Sequence, residues 1–151
     1  MAHLQISQLI PASRFEVFDY LTDPANQAGL LQPTIEVEAY PLEGGVKRGS
    51  ELHFTMTRFG FSQSVRLRVE DFLRGSRMTY RQSEGLFSLW THTMKFEDHG
   101  EGATLVTDLI DYRMPFGLIG YLADDLVVKR DMRGLLESRL QKAKEHFATE
   151  D

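Results

Sequence analysis

Beyond residue 34 the hydrophobic period of this chain changes once, from two residues to about 3.6, and that change constrains the fold more than any other feature. From residue 34 onward apolar and polar side chains alternate. Ile35, Val37 and Ala39 interleave with Glu36, Glu38 and Tyr40; Leu52, Phe54 and Met56 follow. Val65, Leu67 and Val69 then alternate with Arg66, Arg68 and Glu70, and Met78, Tyr80 and Gln82 continue the pattern. After Pro115-Phe116-Gly117 the period becomes helical and stays so to about Phe147. Alternation of this kind describes half-buried strands with one apolar face, and a single long helix is left to cover it.

The N-terminal part supplies the remaining elements. Residues 3–10 read as a first strand, and Ser13 stands where a helix N-cap belongs, ahead of Phe15, Phe18 and Leu21 at helical spacing. Thr22-Asp23-Pro24 stops that helix, and residues 26–31 form a second short one before Pro33. Strand, two short helices, five or six antiparallel strands and a long terminal helix make an α+β order. With 151 residues and no linker, repeat or low-complexity segment, one domain over residues 1–151 is expected.

Turn chemistry predicts the register. A two-residue turn at Gly60-Phe61 puts Met56 opposite Val65 and Phe54 opposite Leu67; one at Arg74-Gly75 puts Val69 opposite Tyr80. Strands at about 86–97 and 103–114, joined at about His99 to Glu101, put His92 opposite Asp108, Met94 opposite Val106 and Trp90 opposite Ile110. Every apolar set then falls on one face, as a one-sided sheet requires.

That inner face is where chemistry is expected. Trp90, His92, Met94 and Phe96 share it on one strand, and Asp108, Ile110 and Tyr112 share it on the next. A carboxylate beside an imidazole fixes its tautomer and favours its charged form. The pair can work as general acid and base, anchor a polar ligand group, or satisfy itself inside an apolar core. Phe54, Met56, Met78, Tyr80, Trp90, Met94 and Met114 line the same face, and methionine adapts to irregular space. On the long helix Leu122, Leu126, Leu136, Leu140, Ala143 and Phe147 form the apolar stripe, with Lys129 and Arg133 inside it as candidate cations for Asp108 or an anionic ligand. Such side chains more commonly snorkel to the edge of a stripe. Gly117 and Gly120 stand at the handover from strand to helix, as a tight turn or a hinge at a pocket mouth.

Composition narrows the partners. Seventeen basic against 22 acidic residues leave a net charge of −5, a poor footing for nucleic acid. No run approaches the roughly 18 apolar residues of a membrane span, no basic tract suits an anionic membrane surface, and the first residues lack the features of a secretory signal. The cytoplasm is the expected compartment. Zero cysteines exclude disulfides, thiol catalysis and thiolate metal sites. His3, His53, His92, His99 and His146 show no metal-ligand spacing with carboxylates, and neither a glycine-rich phosphate loop nor a nucleophile elbow is present. No metal and no cofactor are expected.

The chain resembles the START/SRPBCC superfamily of polyketide cyclases and lipid-transfer domains, and its small bacterial branch in particular. The likeness is carried by the element order and by Pro11-Ala12-Ser13-Arg14-Phe15-Glu16-Val17-Phe18, by Gly85-Leu86-Phe87 leading into Trp90-Thr91-His92, and by Thr104, Asp108, Tyr112 and Pro115. The family often reads Gly-Pro-Phe and His-x-His where this chain has Gly85-Leu86-Phe87 and His92-Thr93-Met94, so no role rests on a second histidine. The resemblance implies a helix-grip fold, a curved antiparallel sheet wrapped around the C-terminal helix. It also implies non-covalent binding of a hydrophobic or amphipathic small molecule, such as a lipid, polyketide or quinone-like compound, between sheet and helix. The alternatives are a cyclase or dehydratase using His92 and Asp108 with Tyr112 as proton donor, and a pocketless interaction module, with a homodimer through sheet or helix.

Overall fold

β1 (Ala2–Ile10) enters the sheet at one edge and the chain then turns directly into α1 (Arg14–Thr22). Ser13 caps that helix by accepting from the Glu16 backbone N–H at 3.3 Å. Asp23 ends it and accepts from Ala25 N–H, opening a single 3₁₀ turn, Pro24–Asn26, that runs into α2 (Gln27–Leu31). The strands that follow are β2 (Glu36–Ala39), β3 (Glu51–Arg58), β4 (Phe61–Leu73), β5 (Arg77–Glu84), β6 (Leu89–Asp98) and β7 (Thr104–Arg113), before α3 (Asp125–Ala148). The computed structural model describes residues 1–31, 36–39, 44–58, 61–114 and 125–148, with side chains of α3 from Val128 onward.

All seven strands form one antiparallel sheet in the order β1-β7-β6-β5-β4-β3-β2. Only β1 is out of sequence order, closing against the last strand. The sheet curls into a half-barrel around α3, the helix-grip arrangement. Its inner face packs Leu4, Ile6 and Ile10 of β1, Met78 of β5, Met94 and Phe96 of β6 and Val106 and Ile110 of β7 into one core with Val17, Phe18 and Leu21 of α1. Leu136, Leu140, Ala143 and Phe147 of α3 join it.

The faces match the expectation, while the registers correct it. Phe54 lies opposite Val65 and Leu52 opposite Leu67, a two-residue slip from the expected pairing of β3 with β4. The expected turn itself falls on residues of which the structure describes only Phe61. Val69 does lie opposite Tyr80, but by a different route. Leu73 pairs with Arg77 across a three-residue connection, and a bulge at Glu70 restores the register. Gly75 takes a left-handed φ of 77° within that connection, where a side chain is strained. The bulge adds local twist, which suits a sheet that curls. β6 and β7 slip by two as well: His92 faces Ile110, Trp90 faces Tyr112, and Asp108 faces Met94. A slip of two exchanges partners without exchanging faces, because side chains alternate with a period of two.

Candidate functional site

His92 sits on the inner face of β6 between Tyr80 of β5 and Ile110 of β7. Asp108 lies one step along β7, in a row with Met94 and Ile6. The two meet diagonally across the ladder, with Nε2 of His92 2.9 Å from Oδ1 of Asp108. Diagonal neighbours of this kind are within reach of long side chains. The sequence thus brought the right pair together through the wrong opposing register.

The second oxygen of Asp108 meets a residue that sequence reasoning missed. Arg139 of α3, 4% exposed, donates from Nη1 to Oδ2 of Asp108 at 3.4 Å. Its Nη2 donates to the Leu21 carbonyl oxygen at 3.1 Å and to Sδ of Met94 at 3.2 Å. Leu21 O belongs to the last turn of α1, where carbonyls lack helical partners and the helix end is negative. One guanidinium therefore joins α1, β6, β7 and α3. The signal was present: Arg139 stands three residues after Leu136 and four before Ala143, at positions that share a helical face. Arg133 lies on the other margin of the stripe, exposed and 3.8 Å from Glu137, while Lys129 is half-buried. The buried cation is Arg139 and not Arg133.

Charge and burial set the ionisation of the cluster. Burial by itself pushes the Asp108 carboxyl up, but attraction to and hydrogen bonding with His92, then the Arg139 guanidinium, outweigh it and hold the group below its ordinary value. Burial pushes the Tyr80 phenol well above its ordinary range, with Arg139 opposing and Asp108 adding to the rise. Asp108 is therefore an acceptor, and the proton between it and His92 sits on Nε2. Among the described residues nothing bonds Nδ1 of His92.

Aromatic side chains continue the wall beyond His92. Phe87 stacks on Trp90 at 5.2 Å and meets Tyr112 edge-on at 5.4 Å, while Trp90 and Tyr80 flank the imidazole with centroids 6.4 and 6.0 Å away. Gln82 holds Phe87 in place, donating from Nε2 to its carbonyl oxygen at 2.6 Å and accepting from its N–H at 3.4 Å. Side chains on the inner face loosen in one direction. Along β6, Phe96 and Met94 are sealed, His92 is 8% exposed and Trp90 half-buried. Along β3 the order is Leu52, Phe54 and then half-buried Met56; along α3 it is Leu136, Met132 and then half-buried Val128.

The other expected residues fall as follows. Phe54, Met78, Tyr80, Met94 and Ile110 are buried on the inner face, and Met114 is half-buried against it. Tyr112 is wholly buried beneath Phe87. Leu122, Gly117 and Gly120 lie outside the described residues, and Leu126 belongs to α3 ahead of the side chains described. A cavity of about 690 Å³ lies beside α1, lined by Phe18, Asp19, Thr22, Asp23, Pro24 and Ala25 and by Ala39, Gly45, Val46, Phe72 and Arg74. His92, Asp108 and Arg139 are not part of its lining. Among the described residues no group of histidine and acidic side chains is placed to hold a metal. None of the described helices is long and apolar enough to cross a membrane.

A curled sheet gripping a long helix, with a buried ionic cluster beneath an aromatic wall, defines a helix-grip protein. The chain belongs to the family described as polyketide cyclase / dehydrase and lipid transport, which it matches over residues 1–148. Among solved structures it is similar to a protein from Thermus thermophilus at 22% identity and a TM-score of 0.73, covering 99% of each chain. It is also similar to the di-domain ARO/CYC StfQ of the steffimycin biosynthetic pathway at 18% identity and a TM-score of 0.73, covering 98% of this chain and 50% of that one. Major latex-like protein 151 from Panax ginseng matches at 17% identity and a TM-score of 0.70, with 97% of each chain covered. At these identities the likeness is one of fold. No curated protein matches the chain.

Proposed function

We propose that this chain binds a hydrophobic or amphipathic small molecule, such as a lipid, polyketide or quinone-like compound, without covalent chemistry, on the inner face between the sheet and α3. The observation that carries the reading is the loosening of that face toward Met56, Trp90, Met114 and Val128, apolar groups that stay half-buried although they pack against the core. An apolar wall with one convergent polar group, here the His92 ring, is the usual make-up of a small-molecule site. The family description, polyketide cyclase / dehydrase and lipid transport, supports the same ligand class. Binding is favoured over acid–base catalysis because Asp108 spends both oxygens on His92 and Arg139 and Tyr112 is sealed. No metal or cofactor is needed for this role.

The test is native mass spectrometry of the purified chain with extraction of anything it carries, alongside titration with the neutral probe N-phenyl-1-naphthylamine. A co-purifying apolar molecule, or probe uptake that weakens in Trp90→Ala, supports the reading. A chain that carries nothing and takes up no probe sinks it. The cavity of about 690 Å³ beside α1 favours a second reading, in which the same class of ligand sits there; its size is within the roughly 300–1,000 Å³ of small-molecule sites.

A further inference from the structure

We propose that Arg139 is a positioning residue for His92, acting through Asp108: it balances the buried carboxylate, so that the imidazole stays neutral, with Nε2–H bound to Asp108 and the Nδ1 lone pair left over. The Proposed function enters only in giving that lone pair a ligand to meet.

Charge counting in a sealed space carries the inference. Asp108 is 0% exposed and the Arg139 side chain 5% exposed, and their separation of 3.4 Å makes them a buried ion pair of zero net charge. An uncompensated charge in such a place is costly, so a further proton on His92 would leave the cluster with an excess positive charge. The groups facing His92 are Tyr80 from β5, Trp90 from its own strand, Asp108 and Ile110 from β7, and Arg139 from α3 through Asp108. Tyr80 is a neutral phenol and cannot balance a second cation. The geometry then holds the arrangement in place. Arg139 is fixed by Leu21 O and Met94 Sδ as well as by Oδ2, so Asp108 cannot rotate away from Nε2 without losing the guanidinium. A fork of donors with three partners is something lysine does not reproduce in geometry but does reproduce in charge.

This separates positioning from plain structural support. The imidazole nitrogens are read by ¹⁵N NMR of the full chain at pH 7, in the wild type, Arg139→Lys and Arg139→Gln, with the backbone amide spectrum reporting the fold. The wild type is expected to show Nε2 protonated and Nδ1 bare, and Arg139→Lys to show the same. In Arg139→Gln the carboxylate keeps only His92 as a possible cation, so the bare Nδ1 signal is expected to disappear as that nitrogen takes a proton from solvent. Arg139→Met replaces it should the glutamine variant not fold. A wild-type His92 with Nε2 bare, or imidazole signals unmoved by loss of the cation in a folded variant, overturns the proposal. Ligand binding is read separately by the naphthylamine probe. A wild type that takes up no probe counts against the proposed function and leaves the imidazole result standing, because the nitrogens are read without a ligand.

Discussion

Asp108 binds His92 across the diagonal of the β6–β7 ladder, Oδ1 to Nε2 at 2.9 Å, while the residue directly opposite His92 is Ile110. The offset places the carboxylate one row deeper in the core than the imidazole, level with Met94, where it meets Arg139. One buried carboxylate thus holds an imidazole and a guanidinium from two elements, and removing its charge leaves Arg139 without a counter-charge.

Asp108→Asn is therefore expected to destabilise the fold by about 3–5 kcal/mol at pH 7, the usual cost of breaking a buried ion pair. The cost should depend on pH with a definite sign. The folded carboxyl lies below its unfolded value, so its contribution is complete above an unfolded value of about 3.9 and is lost as pH falls through the lower folded one. Denaturant unfolding between neutral pH and pH 2 checks this. The gap between wild type and variant should narrow below about pH 4, and a gap that stays constant would contradict it.

Two arginines of α3 should behave oppositely. Arg133→Ala, at an exposed i,i+4 pair with Glu137, is expected to change stability by no more than about 0.5 kcal/mol. Arg139→Met takes the guanidinium away from the buried Asp108 carboxylate and from Leu21 O, and should cost about 3–5 kcal/mol. Parallel urea curves decide it; equal effects would mean that the helix sits at a different rotation.

Probe binding distinguishes the two candidate locations of a ligand. Trp90→Ala removes an aromatic wall and is expected to weaken N-phenyl-1-naphthylamine about tenfold, the equivalent of ~1.4 kcal/mol. Val46→Trp narrows the cavity beside α1 and should leave that affinity unchanged. The reverse pattern moves the ligand to the α1 cavity.

Gly75→Ala is expected to destabilise by roughly 1–2 kcal/mol from the left-handed backbone alone. A methyl there also falls 2.7 Å from the Phe15 ring, which Arg14 and Arg74 flank. Thermal unfolding of Gly75→Ala with and without Phe15→Ala separates the two. The paired substitution should cost less than the sum of the singles, and strict additivity would remove the steric part.

Several features are legible in the sequence, and each rests on periodicity. Alternation assigned Phe54, Met78, Tyr80, His92, Met94, Asp108 and Ile110 to one buried face, and the helical period after residue 117 supplied the element that covers it. Parity survives a slip of two residues, which is why faces held while partners changed. What periodicity leaves open is decided by close packing. The bulge at Glu70 and the three-residue connection at Gly75 set which residues oppose each other, and both depend on how the strands curl. The rotation of α3 is chosen by the fit of Leu140, Ala143 and Phe147 against α1 and the sheet, and that fit buries Arg139 while leaving Arg133 in water. The sequence alone determined that a histidine and a carboxylate would share an apolar face beneath a helix. Only the tertiary structure decided which cation joins them, because a stripe on a helix has two margins and packing can seal only one.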